Sequence, residues 1–298
     1  ISGTIGSDVF GKPKKYQEYE IDIHTGGEDH IDVHHKNEII QSEALGFKLS
    51  KYWVHNKFVM VDGGKMSKSI GNVYLVKGRQ ADTGFYSFEN PPIDKFSDEL
   101  KALIVKKYQE LKLIKKPEEM DWKSFSFDPL AYRLMLFEHH YTQQMNFTFD
   151  KLWQSQVRLW GIRKGVAKIF SFAKSIDVVT AEFSPKQLDI YTTILNDNLD
   201  TSGFLEKFQS FLLEVENNMQ GNKTVNPKNL SLIKHLDTNF LKLKLATSIP
   251  ENITDLVDQR IQAKQNKDYT LADTLRGKIL EIGYQLDDYR HGAGVWVR

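Results

Sequence analysis

Cysteine is absent from all 298 residues, which excludes disulfide scaffolds, thiolate catalysis, iron–sulfur clusters and thiolate zinc sites. Any metal must take its ligands from His, Asp or Glu. Net charge is nearly absent too. Lys and Arg total 40 against 39 Asp and Glu, so at +1 no global field gathers polyanions, and a nucleic-acid partner must be met by a local patch. Proline and glycine, at 8 and 19 residues, are too sparse for collagen or low-complexity disorder. There is no run of about 18 apolar residues and no basic-then-apolar leader, so neither a membrane span nor a secretory signal is expected, and the default compartment is the cytoplasm. The chain opens at Ile1 without an initiator Met, which leaves room for a preceding segment. What is present is an ordinary globular balance of 40% hydrophobic and 27% charged residues, long enough for two domains or for one catalytic fold with helical additions.

Tyr19 to Ile23 alternates apolar and polar residues at the strand period, and Thr25-Gly26-Gly27 follows as a glycine turn. Val33 to Leu45 carries Ile39, Ile40, Ala44 and Leu45 at helical spacing, with Gly46 as its stop. A second strand, Phe58 to Val61, meets the turn Asp62-Gly63-Gly64. Strand, turn and helix make half of a parallel α/β unit, and such a unit needs neighbouring strands to bury its faces. Residues 79–127, with Pro91, Pro92 and Pro117, read as an insertion holding one lysine-rich amphipathic helix from Leu100 to Leu113. Residues 128–248 are helical almost throughout and read as a bundle. Residues 249–298 open with two short helices, Ile253 to Gln265 and Thr270 to Ile282, the second stopped by Gly283. The expected fold class is therefore α/β, with a partial nucleotide-binding domain over 1–78 and helical additions after it.

The strongest chemical signal is Lys65-Met66-Ser67-Lys68-Ser69, just after the second strand and its glycine turn. A glycine-flanked loop with two ammonium groups and two hydroxyls suits polyphosphate. Charge grows on pyrophosphate as it leaves ATP, and lysines on such a loop stabilise it more in the transition state than in the ground state. A solvated basic turn is the plainer reading of the same five residues.

The full string resembles the signature loop of class I aminoacyl-tRNA synthetases. Its context, Asp22 to His30, Val33 to Ile39, Tyr52 to His55 and Val61 to Lys65, resembles the second half of the catalytic domain of the cysteinyl-tRNA synthetase family. Asp128 to Arg133, His140-Tyr141 and Asn146 to Thr148 resemble the start of that family's helical domain. Arg260 to Lys264, Asp268, Ala272-Asp273, Arg276 to Gly283, Asp288 and Trp296 resemble its small tRNA-binding end domain. The resemblance implies a Rossmann-like domain, a helical bundle and that end domain. It implies a ligase that joins cysteine to its tRNA through a cysteinyl-adenylate, using ATP with Mg2+. Lys65, Ser67 and Lys68 would then be catalytic, and Lys65, Met66 and Lys68 would touch the nucleotide.

Three further groups follow. Gly26 and Gly27 let a ligand approach the backbone at a strand's C-terminal end, and Asp29 can accept from a ribose; as bare residues they equally make a simple turn. The resemblance implies adenosine binding at all three. His34 and Glu38 lie at i and i+4 on one helix face, a spacing that serves a metal or a plain surface pair. Here the resemblance implies zinc completed by two cysteines, one in a preceding N-terminal half and one near Ser2 or Gly3, and this chain has neither. His24, His30 and His35 carry donors that can in principle supplement the pair. In the end domain Arg260, Lys264, Lys267, Arg276, Lys278, Arg290 and Arg298 form a local basic set. Trp296 offers a face for a splayed base or closes a small core; the resemblance implies tRNA contact through Arg260, Arg276, Asp288 and Trp296.

The family's first nucleotide motif, His-Ile-Gly-His, is not in this sequence, so the isolated chain is expected to be a poor catalyst, and a separate N-terminal half chain is a candidate partner. Other departures are Thr142, where the family has Arg, and the insertion. Two rivals stand beside the ligase reading: a noncatalytic tRNA-binding protein or split subunit, and a cysteine:amino-sugar ligase. The second rival should lack the end domain.

Overall fold

The computed structural model describes residues 19–78, 80–222, 224–246, 249–289 and 292–298. The chain divides into two compact units. One holds the described residues up to 72 together with 139–148, and the other holds 73–138 and 149–298.

In the first unit β1 (Tyr19–Gly27) is followed by a single 3-10 turn, a π turn over Ile31–His35, and α1 (Lys36–Ala44). Gly46, at φ 85°, releases the chain from the helix, since a left-handed residue there costs glycine little. The chain then enters β2 (Lys48–Asn56), which pairs with β1 in parallel from Tyr19↔Lys48 to Gly27↔Asn56. The βαβ unit is thus complete, and two expectations need correction. Thr25, Gly26 and Gly27 are strand residues rather than a turn, because their backbones continue the ladder opposite Val54, His55 and Asn56. β2 itself went unread, because its charged Lys48 and Lys51 interrupt the apolar alternation.

β3 (Val59–Val61) and β4 (Gly64–Lys65) form a hairpin closed by Asp62 and Gly63. Their φ values of 50° and 77° match a two-residue loop with both central residues left-handed, the geometry that follows the twist of the flanking strands. β5 (Met145–Phe147) pairs with β3 in parallel and completes a three-stranded sheet.

The second unit is mostly helical. It runs through α2 (Gln80–Thr83), α3 (Asp98–Glu110) and α4 (Pro129–Phe137), then α5 (Phe149–Ser175), α6 (Pro185–Asn196), α7 (Thr201–Asn222) and α8 (Pro227–Leu236). Ser97, Asp128 and Asn226 cap α3, α4 and α8 by accepting from backbone N–H groups in the first turn. The core is aromatic and leucine-rich: Phe127, Leu134, Leu152, Leu159, Ile169, Phe204 and Phe208 are essentially inaccessible. Leu100 and Ile104 of α3 are buried as well, so the helix of the 79–127 segment belongs to this core.

At its end α9 (Glu251–Gln265) and α10 (Tyr269–Glu281) pack together and lead into an antiparallel hairpin, β6 (Tyr284–Tyr289) and β7 (Gly292–Val297). The backbone contacts of this end run to α5. Arg163, 1% exposed, donates to Leu243 O, to Asp128 Oδ2 at 2.7 Å and to Val297 O at 3.2 Å. Among the described residues no helix is long and apolar enough to cross a membrane.

Candidate functional site

The lysine loop begins where the β3–β4 hairpin ends. Lys65, Met66 and Lys68 are exposed and Ser67 is half-buried. Asn72 clamps the loop from both sides: its Oδ1 accepts from Ser67 N at 2.8 Å and its Nδ2 donates to Lys65 O at 3.1 Å. Gly71 turns the chain at φ 73°, and the Ser67 and Ser69 hydroxyls share a hydrogen bond of 2.8 Å. Held this way, Lys65 and Lys68 present their charges to solvent without acidic partners among the ion pairs of the described residues. Lys65 Nζ lies 5.7 Å from the centre of the Phe58 ring.

The same ring faces the end of β1. A Cβ built on Gly27 would sit 3.9 Å from Phe58 and only 2.5 Å from Asp29 Oδ1, so the Asp29 side chain folds back over a backbone that must be bare to admit it. Gly26 is barer still in its demands: a Cβ there would stand 2.5 Å from His35 Cε1 and 2.8 Å from its Nε2. Gly26, Gly27, Asp29 and the lysine loop are therefore connected through Phe58, at the C-terminal ends of two parallel strands, where open α/β sheets take ligands.

Behind Gly26 lies a cluster of imidazoles. His35 is buried, and its Nδ1 hydrogen-bonds His55 Nε2 at 2.7 Å. Burial first, then the neighbouring His24 and His55, lower the His35 pKa below the ordinary imidazole range. His24 Nε2 stands 3.2 Å from Glu38 Oε2, and His34 Nε2 stands 3.5 Å from Glu38 Oε1. The zinc set implied by the resemblance does not fit. Its sulfur donors are missing, and His34, with a 61% exposed side chain, and Glu38 give only two ligands. Ser2 and Gly3 lie outside the described residues. The donors that do converge are those of His24, His35 and Glu38, which lie within 4.8 Å of one another. Sequence spacing pointed to His34 because a helix face is visible in sequence. His24 was harder to see, because only strand pairing brings it to the helix.

The end hairpin corrects a second expectation. Trp296 is 3% exposed, and its indole N–H donates to Asp287 Oδ2 at 2.7 Å, so its faces are committed to the core and are not free to stack on a base. Arg260, also 3% exposed, makes two hydrogen bonds to Asp288 at 2.7 and 2.9 Å, with Lys264 and Arg276 alongside the same carboxylate. Buried Trp296 and Arg260 thus build the end domain from within. The arrangement that sequence reasoning missed is a groove of about 760 Å³ between α5, α8, α9 and β7. Phe170 and Val257 are on its walls, and Lys174, Lys234 and Lys244 line it. Lys234 Nζ lies 5.3 Å from the centre of the Phe170 ring.

Residues 12–83 match the family described as the tRNA synthetases class I (C) catalytic domain. That span holds the hairpin, its lysine loop and the β1–α1–β2 unit. Over most of its length the chain is similar to proteins named cysteine-tRNA ligase. It is 30% identical to that of Chlamydia pneumoniae over 289 residues, which cover 92% of this chain and 51% of the relative. It is 28% identical to that of Solibacter usitatus over 292 residues, 94% of this chain and 53% of the relative. It is 30% identical to that of a Picosynechococcus species over 293 residues, 93% and 52%. The chain spans about half the length of the curated relatives it matches.

Proposed function

We propose that this chain carries the lysine-loop part of a cysteinyl-adenylate site, together with the tRNA-holding helical part of a cysteinyl-tRNA synthetase. The observation that carries the reading is the pair of exposed lysines, Lys65 and Lys68, on a loop fixed by Asn72 and joined through Phe58 to the bare end of β1. Gly26 and Gly27 would admit the adenosine, with Asp29 accepting from the ribose. Lys65 and Lys68 would take up charge as the bond from the α-phosphorus to pyrophosphate breaks, with Ser67 and Met66 shaping the loop; Mg2+ arriving with ATP would supply further positive charge to the phosphates. Exposed Lys264 and Lys278 on the end helices, Lys267 in the turn between them, and the lysine-lined groove offer phosphate contacts for tRNA. Cytoplasmic residence belongs to the same reading.

A second form of it is favoured by one observation. Ile23 and Tyr52 are 58% and 57% exposed on a two-stranded parallel sheet, an arrangement that calls for further strands, whether from the same polypeptide or from a companion N-terminal half. The domain plan of the reading is a partial catalytic domain over 1–78, an insertion over 79–127, a bundle over 128–248 and a tRNA-binding end over 249–298.

Removing one preorganised charge contact typically costs about 2.7–4 kcal/mol of transition-state stabilisation, so Lys68→Ala should slow cysteine-dependent ATP–pyrophosphate exchange by about two to three orders of magnitude. The assay is run on the protein as isolated from its own cells. Exchange that stays within a few-fold of the unsubstituted protein removes the loop from the mechanism.

A further inference from the structure

We infer that the groove between α5, α8, α9 and β7 is a binding site for one medium-chain fatty acid, its carboxylate held by the lysines and its alkyl chain laid along the apolar walls. Phosphates of tRNA would meet the same lysines only from outside, and the interior calls for a different occupant. No step of the proposed adenylate chemistry uses this site.

Charge selects the head group. Lys174, Lys234 and Lys244 line the groove, all three are exposed, and none of them is in an ion pair among the described residues. Against these three ammonium groups the lining holds one carboxylate, that of exposed Asp258. Lys244 stands on a loop that is built, not slack. The buried carboxylate of Asp237 accepts from the N–H groups of Leu243, Leu245 and Ala246 at 2.9, 2.7 and 3.2 Å, and Lys242 and Lys244 take φ values of 53° and 55°. A left-handed backbone is uncommon outside glycine and persists where its surroundings impose it. Leu243 and Leu245 are buried on either side while Lys244 stays outside.

The interior selects the body of the ligand. Its walls include Val166, Phe170, Ile249, Val257, Ile261 and Val295. The hydroxyls that line it already donate to backbone carbonyls: Ser171 to Ala293 at 3.0 Å, Ser175 to Phe172 at 2.7 Å and Thr254 to Pro250 at 3.2 Å. The Trp296 indole N–H is committed to Asp287, and no Asn, Gln or His is among the lining residues. A nucleobase taken from water into such a place leaves its polar edges unpaired, whereas an alkyl chain gains by leaving water and asks for no hydrogen bond. The volume of about 760 Å³ falls within the roughly 300–1,000 Å³ of pockets that enclose small molecules.

The test titrates the full 298-residue chain with octanoate, decanoate and dodecanoate, each below its micelle concentration, by calorimetry. One molecule per chain is expected, with a negative heat-capacity change and an affinity that rises about fourfold for each methylene added. Decanol, the same chain without the charge, should bind more weakly than decanoate. This comparison reads the head group on the unsubstituted chain, even where a variant fails to fold. Lys174→Gln, Lys234→Gln and Lys244→Gln should each weaken decanoate by up to about fivefold and leave decanol unchanged. An affinity that does not rise with chain length overturns the inference, and so does uptake of many molecules per chain without saturation. Adenosine monophosphate displacing decanoate as readily as dodecanoate does would overturn it too and assign the groove to a nucleotide. Decanoate should bind equally to Lys68→Ala, so this site and the adenylate reading stand or fall separately.

Discussion

Arg163 is the most consequential buried charge in the helical unit, and Arg163→Met isolates what it does. The methionine keeps most of the apolar stem of a side chain that is 1% exposed, so little cavity opens. What disappears is a guanidinium that donates to Leu243 O at 2.9 and 3.2 Å, to Asp128 Oδ2 at 2.7 Å and to Val297 O at 3.2 Å. Removing one partner of a buried pair costs about 3–5 kcal/mol, chiefly because the other charge is stranded. Asp128 is 18% exposed and still accepts from Leu130 N at the start of α4, which places the loss near the lower end, about 3 kcal/mol. Urea unfolding followed through Trp153 and Trp160, both buried in this unit, should then show a midpoint lowered by about 1 M or more for a slope of about 1–3 kcal/mol per M. Adding Asp128→Asn to Arg163→Met should restore part of the loss, because it removes the stranded charge. A single-variant loss below about 1 kcal/mol, or a double variant less stable than Arg163→Met, would show that the guanidinium is not paired as described.

Two further outcomes are expected. Asn72→Ala removes both clamps on the lysine loop, and a loss of about 1 kcal/mol of local order should speed trypsin cleavage after Lys65 or Lys68 about fivefold; an unchanged cleavage rate contradicts the clamp. The hydrogen bond from Arg260 holds the Asp288 pKa down to about 2 against the opposing effect of burial, with Lys264 adding to it. A carboxylate depressed in the fold adds stability above its unfolded value near 4 and loses it as pH falls towards 2. Asp288→Asn should therefore flatten the fall of stability in that window, and an equally steep fall in the variant would exclude the carboxylate as its source.

The helices were legible because their signals are local. The helical periodicity read over residues 128–248 is kept in α4 to α8. The lysine loop was legible as a string, and its turn as Asp62-Gly63. β2 was not, since Tyr52 is exposed while Leu49 and Ser50 are buried in succession, so no period-two pattern survives. The imidazole cluster was only half visible. His34 and Glu38 share a helix face, while His24 and His55 arrive from two strands whose pairing the sequence does not spell out. The sequence left Trp296 open between a stacking face and a core residue for a related reason: Asp287, which accepts a hydrogen bond from its indole N–H, lies across the hairpin, not beside it in sequence.

The parallel pairing of Val59 to Val61 with Met145 to Phe147 makes the first unit discontinuous along the chain. During synthesis the β3–β4 hairpin leaves the ribosome long before its third strand, and closing that interval carries the entropy of a loop of dozens of residues. The helices α2 to α4 are made in between, so the nascent lysine loop is displayed on an unfinished sheet until β5 emerges. A truncation that stops short of residue 148 would leave the edge of β3 unpaired on that side, and an unpaired strand edge is a template for association with another chain.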